Sequence, residues 1–131
     1  MTPADGNLYA RALADSTQAS LKVRIRVMRG EENAFGPGKA QLLESLLETG
    51  SLNRSASGMK MSYMKALALM HAMNTLFREP LVELSRGGKR GGGTRVTDFG
   101  RKVLAEYRAM CEAGEKAGLP SWRRLRKLLK D

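Results

Sequence analysis

The stretch GSLNRSASGMKMSYMKAL, residues 50–67, decides the fold. It contains two helix starts separated by one tight turn. Ser51 is a capping residue: its hydroxyl can accept from a backbone N–H in the first turn of a short helix that ends near Gly58 or Met59. The chain then turns at Lys60-Met61. Ser62 caps a longer helix reaching about Phe77. Ala66, Leu69, Met70 and Met73 keep helical spacing along it, and Leu67, Leu76 and Phe77 widen the stripe. Ala56 is small where the two helices must cross closely. A short capped helix, a tight turn and a longer capped helix form the helix-turn-helix pattern, whose second helix enters the DNA major groove. An ordinary helical hairpin with solvated caps has the same pattern, so the flanks must decide.

Upstream, Lys39 to Thr49 reads as a helix with Leu42, Leu43, Leu46 and Leu47 on one stripe, and Gly50 is placed to end it. Leu21 to Met28 alternates: Val23, Ile25 and Val27 are apolar, while Lys22, Arg24 and Arg26 are basic. This predicts a strand with one buried face. Gly30 to Gly38 reads as a loop. Downstream, Pro80 stops the long helix. Leu81–Ser85 and Arg95–Thr97 read as two short strands. Between them RGGKRGGGTR, residues 86–95, is too glycine-rich for a helix or a packed strand interior. The two strands therefore make a hairpin with a long basic tip. Thr97 or Asp98 caps a last helix whose apolar stripe is Phe99, Val103, Leu104, Tyr107, Met110 and Cys111. Gly114 and Gly118 loosen its end, and Pro120-Ser121 opens a separate basic amphipathic segment, Trp122 to Lys130.

The expected fold class is mainly α with a small β-hairpin wing, a winged helix-turn-helix. The expected organisation is an N-terminal arm or short helix over 1–20, the winged domain with a C-terminal dimerisation helix over 21–113, and a tail helix over 114–131. A length of 131 residues suits one main domain.

Charge points to the partner. There are 23 Lys and Arg against 13 Asp and Glu, a net charge of +10, which favours a polyanion. From Ser85 to Lys102, six basic residues face one acidic residue. Arg86, Lys89, Arg90 and Arg95 are placed to grip phosphates, with glycines permitting close approach of backbone to duplex. Ser62, Tyr63, Met64 and Lys65 open the recognition helix, where hydroxyls and a lysine can reach phosphates and base edges. Arg54 and Ser55 are placed to hold the DNA backbone.

Other classes find little support. The single cysteine, Cys111, rules out an intrachain disulfide framework, and no apolar run is long enough to span a membrane. No secretory signal opens the chain. A cytoplasmic location with no membrane partner is expected. One histidine, His71, and one cysteine do not make a zinc site. No nucleophile, base and orienting group can be assembled, so neither catalytic residues nor enzyme activity are expected.

Residues from about 21 to 113 resemble the N-terminal DNA-binding domain of ModE-type molybdate-responsive regulators, and more distantly the LysR-type domain. The resemblance rests on Glu48-Thr-Gly-Ser-Leu52, Met61-Ser62-Tyr63 and Ala72-Met73-Asn74. It continues through Gly87-Gly88-Lys89, Gly91-Gly92-Gly93, Val96-Thr97 and Gly100. It implies a winged-helix homodimer controlling transcription, often of molybdate-uptake genes. Ser62, Tyr63 and Lys65 would face DNA, and the wing would hold phosphates. Dimers of such regulators pair through the long last helix and N-terminal elements, which maps here to Phe99, Val103, Leu104, Tyr107 and Met110. Two positions depart from the pattern: Lys60 where the turn often carries Gly, and Met64 in place of a basic or polar residue. The family's molybdate-binding domains have no counterpart in these 131 residues, so no cofactor is expected. The expected function is a homodimeric, sequence-specific regulator, a repressor, on an inverted repeat of double-stranded DNA. An architectural DNA binder, or an accessory module pairing with a full-length regulator, are the alternatives.

Overall fold

Gly30 sets the first turn. In the computed structural model, which describes residues 18–85 and 93–130, it takes a φ of +63°, open to glycine at no steric cost. Glu31 has no positive φ, so the two-residue loop follows the type II′ pattern. It joins strand β1 (Val27–Arg29) to strand β2 (Glu32–Phe35), with Arg29 opposite Glu32 and Val27 opposite Phe35. A bulge between Val27 and Met28 lets the consecutive residues Ala34 and Phe35 both turn inward.

This corrects the expected strand over Leu21–Met28 and the expected loop over Gly30–Gly38. The ladder can be no longer than its partner, and β2 is cut short by Pro37. That proline opens helix α1 (Pro37–Thr49), where its fixed φ suits a first helical position and its missing N–H is not needed. Gly50, at φ 65°, closes α1 with its N–H donating to the Leu46 carbonyl at 2.8 Å. Helices α2 (Leu52–Gly58) and α3 (Tyr63–Leu76) follow. Strands β3 (Val82–Ser85) and β4 (Gly93–Val96) then pair antiparallel, Val82 opposite Val96 and Ser85 opposite Gly93. The chain is mainly helical with small two-stranded hairpins, and its element order is that of a winged helix-turn-helix.

Helix α4 runs unbroken from Asp98 to Arg126, through Pro120. The expected break at Gly114, Gly118 and Pro120 does not occur. An interior proline removes one donor and crowds the carbonyl four residues back, at about 3 kcal/mol, and each helical glycine costs about 1 kcal/mol, so this stretch is helical against its local preferences. Residues 24–114 form one compact unit; the described residues on either side, 18–23 and 115–130, belong to a second. In that second unit a Cβ on Gly118 would lie 3.8 Å from the Leu21 methyl, an ordinary contact, and Trp122 is half-buried. Most of the expected N-terminal arm, residues 1–17, lies outside the described residues.

The core of residues 24–114 is built on Phe35. Its ring meets Tyr107 edge-on at 5.0 Å and Phe77 at 6.0 Å between centroids, favoured geometries for aromatic pairs. Leu42, Leu43 and Leu46 from α1, Ala66, Met70 and Met73 from α3, Leu81, Val82 and Val96 from the second hairpin, and Leu104 from α4 close around it. Lys39 is also buried, and its ammonium donates to the Asn33 carbonyl. Burial pulls this lysine below its ordinary range, with the Glu32 carboxylate opposing.

Helix α4 meets the hairpin at Gly100. A Cβ there would come within 2.3 Å of the Leu81 carbonyl oxygen and 2.9 Å of Val96 Cγ1. Gly100→Ala should therefore lower stability by about 1–3 kcal/mol, read as a shifted denaturant midpoint at constant m-value. A wild-type midpoint would mean that α4 and β3 are not packed this closely.

Candidate nucleic-acid interface

Two serines begin the helix-turn-helix as expected. Ser51 Oγ accepts from the Arg54 N–H at 3.1 Å, and Ser62 Oγ accepts from the Lys65 N–H at 3.0 Å. The turn between them is a Schellman motif. The Met61 N–H reaches the Ala56 carbonyl at 3.0 Å, and the Lys60 N–H reaches Ser57 at 3.1 Å. Such a motif needs a left-handed residue after the helix, and here it is Lys60, with φ 56°. A side chain in that conformation costs about 1–2 kcal/mol.

The first turn of α3 is presented to solvent. Tyr63 is 44% exposed and Met64 69%, and Ser62, Lys65 and the preceding Arg54 are exposed as well. Ser55 is different. It is fully buried, and its hydroxyl bonds to Ser45 Oγ at 2.9 Å and to Thr49 Oγ1 at 3.0 Å. Its expected contact with the DNA backbone is corrected: the hydroxyl is consumed between α1 and α2. The signal was in the spacing, since Leu52, Ser55, Ala56 and Met59 share one helical face.

The hairpin is stitched to this motif by side chains. Asn74, near the end of α3, accepts from the Leu81 and Val82 N–H groups at 2.8 and 3.2 Å, and donates to the Val82 carbonyl at 2.9 Å. On β4, the Thr94 N–H donates to the Gly50 carbonyl at 3.0 Å, and Thr94 Oγ1 accepts from the Leu52 N–H at 3.3 Å. Thr97 Oγ1 donates to the Pro80 carbonyl at 2.7 Å and accepts from the Gly100 N–H at 2.9 Å, capping α4. Asn74 and Thr94 are functional supports that residue patterns alone did not reveal.

The result is a cleft of about 610 Å³ lined by Ser51, Leu52, Asn53, Tyr63, Leu84, Ser85, Gly93 and Thr94. It lies between the starts of α2 and α3 and the loop end of the β3–β4 ladder. Asn53, Leu84 and Ser85 are wall residues not anticipated from the sequence. Arg95 is exposed on β4 and paired with Glu83 at 2.6 Å. Arg86, Lys89 and Arg90 lie outside the described residues. From Thr49 to Arg78 there is no acidic residue, while Arg54, Lys60, Lys65 and Arg78 are basic.

The expected dimerisation stripe divides. Leu104 and Tyr107 are buried in the core, and the Tyr107 hydroxyl donates to the Ile25 carbonyl at 2.8 Å. Burial, with a hydrogen bond to Cys111, pushes this phenol above its ordinary pKa. Leu104 thus packs inward, while Tyr107 forms part of the floor of an apolar groove. Phe99 and Val103 are half-buried and Met110 is 41% exposed. With Val27 they line this groove, of about 250 Å³ and bordered by Arg78, Lys102 and Glu106.

A Ser-capped helix-turn-helix held against a two-stranded hairpin is a winged helix-turn-helix domain. No family model matches the chain. Individual relatives do. It is 43% identical over 77 residues to the molybdenum transport protein ModE of Azotobacter vinelandii, covering 59% of this chain and 28% of that protein. It is 41% identical over 96 residues to the molybdenum transport protein ModE of Herbaspirillum seropedicae, covering 73% and 34%. It is 32% identical over 81 residues to the DNA-binding transcriptional dual regulator ModE of Escherichia coli K12, covering 62% and 31%. The chain is thus similar to ModE-type regulators and spans about a third of the length of these relatives. No helix among the described residues is long and apolar enough to cross a membrane.

Lys60→Gly should raise stability by about 0.5–1 kcal/mol, the left-handed cost less the backbone entropy of glycine, seen as a higher thermal midpoint. Tyr107→Phe should lower it by about 1 kcal/mol through loss of the bond to Ile25. A midpoint unmoved by the first substitution would contradict the left-handed turn.

Proposed function

We propose that this chain is a sequence-specific regulator of transcription that binds double-stranded DNA as a homodimer. The observation that carries the reading is the exposed first turn of α3, Tyr63 to Lys65, whose Tyr63 lines the cleft beside the loop end of the β3–β4 ladder. A helix start presented in this way can enter a major groove about 12 Å wide while the hairpin flanks it. The acid-free run from Thr49 to Arg78 and the net charge of +10 support a polyanionic partner. The similarity to ModE regulators supports control of transcription in particular. The reading places the protein in the cytoplasm, acting as a repressor on an inverted repeat. It assigns no catalytic residue, metal or cofactor within these residues.

The apolar groove beside Val27 and Met110 supports the homodimer. Both side chains are more than a third exposed, and the basic Arg78 and Lys102 lie on the same rim as the acidic Glu106. A two-fold axis brings one patch against its own copy, so a rim carrying both signs is self-complementary.

Selection from a random duplex pool at near-physiological salt should enrich an inverted repeat with half-sites about one helical turn apart, or a small multiple of that. Salt-sensitive binding without enrichment would favour an architectural role instead. Lys65→Ala should weaken binding to the selected duplex by about tenfold, the scale of one good polar contact. Val27→Asp with Met110→Asp should sediment as a monomer while keeping its helical circular dichroism. A dimer that survives both charges would move the interface elsewhere.

A further inference from the structure

The exposed positions of α3 are Tyr63, Met64, Lys65, Ala68, His71 and Thr75. None is Arg, Asn or Gln, and Lys65 is the one side chain among them suited to grip guanine through two hydrogen bonds. The one amide on this helix, Asn74, already makes three hydrogen bonds to the hairpin backbone. Thr75 Oγ1 donates back to the His71 carbonyl at 2.8 Å. Tyr63, Lys65 and His71 are the polar side chains left on the outward face, and beside them stand Met64, 69% exposed, and Ala68 one turn further on. A spacing of four residues sets their positions about 6 Å apart along the axis.

Met64 is the most exposed large apolar side chain among the described residues of 24–114, and the surrounding charge selects what can cover it. Arg54, Lys60 and Lys65 belong to the same motif, and no carboxylate interrupts it. A polyanion fits this setting. The apolar feature that a nucleic acid displays in the major groove is the C5 methyl of thymine. We propose that Met64, extended by Ala68, reads thymine methyl groups in each half-site, so that much of the base preference comes from apolar contact. This rests on the DNA-binding reading above and deepens it: the ligand is thymine-containing duplex, distinguished from the same sequence with uracil.

The test uses the full chain and the duplex recovered by selection. Each thymine is replaced singly by deoxyuridine, which deletes the methyl and leaves every hydrogen-bonding edge intact. At one or two positions per half-site the replacement should weaken binding about three- to tenfold, the scale of one buried methyl or slightly more. Met64→Ala, at an exposed position that leaves the core untouched, should bind the thymine and uracil duplexes equally at the position under Met64. Met64→Leu should restore part of the difference. Equal binding of all uracil duplexes by the wild type would overturn the inference while leaving DNA binding intact. A uracil penalty that persists in Met64→Ala would remove the role from Met64. Failure to bind any duplex would defeat the underlying reading as well.

Discussion

The side-chain amide of Asn74 holds the interface together. Its oxygen accepts from two successive backbone N–H groups, Leu81 and Val82, and its nitrogen donates to the Val82 carbonyl. These groups begin β3, at the point where the chain leaves α3 with no helix or ladder to satisfy them. Left unpaired under the core, each would cost about 1–3 kcal/mol. The same bonds fix the hairpin at a set height beside α3. Thr94 does the matching task from the other strand, tying β4 to the α1–α2 junction. The cleft between the helix starts and the β3–β4 ladder therefore has backbone-anchored walls on both sides.

Charge is distributed to suit that geometry. The ion pairs of Glu83 with Arg95 and of Glu44 with Arg108 involve side chains that are at least two-fifths exposed, and such pairs add little stability. More consequential is where carboxylates are missing. The run from Thr49 to Arg78 covers α2, the turn and α3 without one. The segment that presents Tyr63, Met64 and Lys65 thus carries basic residues and no carboxylate, the charge balance that the proposed polyanionic partner requires.

Much of this was legible in the residues. Ser51 and Ser62 located two helix starts correctly because capping is a local interaction. Gly50 ended α1 for the same reason. What escaped was decided by contacts distant in the chain. The β1–β2 hairpin was hidden because the alternation over Leu21–Met28 promised a strand where no partner of that length exists. Ser55 looked like surface until its neighbours on α1 were known. Leu104 and Tyr107 looked like half of an interface because one stripe on α4 serves two neighbours. Its inward edge meets Phe35 and Ile25, and its outer edge lines the groove with Val103 and Met110. The long run of α4 through Pro120 could not be read from a residue that usually ends helices.

The buried hydroxyls between α1 and α2 carry a last implication. Thr49 Oγ1 donates to the Ser51 carbonyl, so the bond it shares with Ser55 must be one it accepts, and Ser45 in turn donates to Ser55. Each hydroxyl has a single proton, so the chain Ser45, Ser55, Thr49, Ser51 has only one direction. An interface of leucines alone tolerates a small slip or rotation, because apolar contact is indifferent to angle. A one-way hydroxyl relay does not. It ties the angular setting of α2 against α1 to a short series of directional bonds.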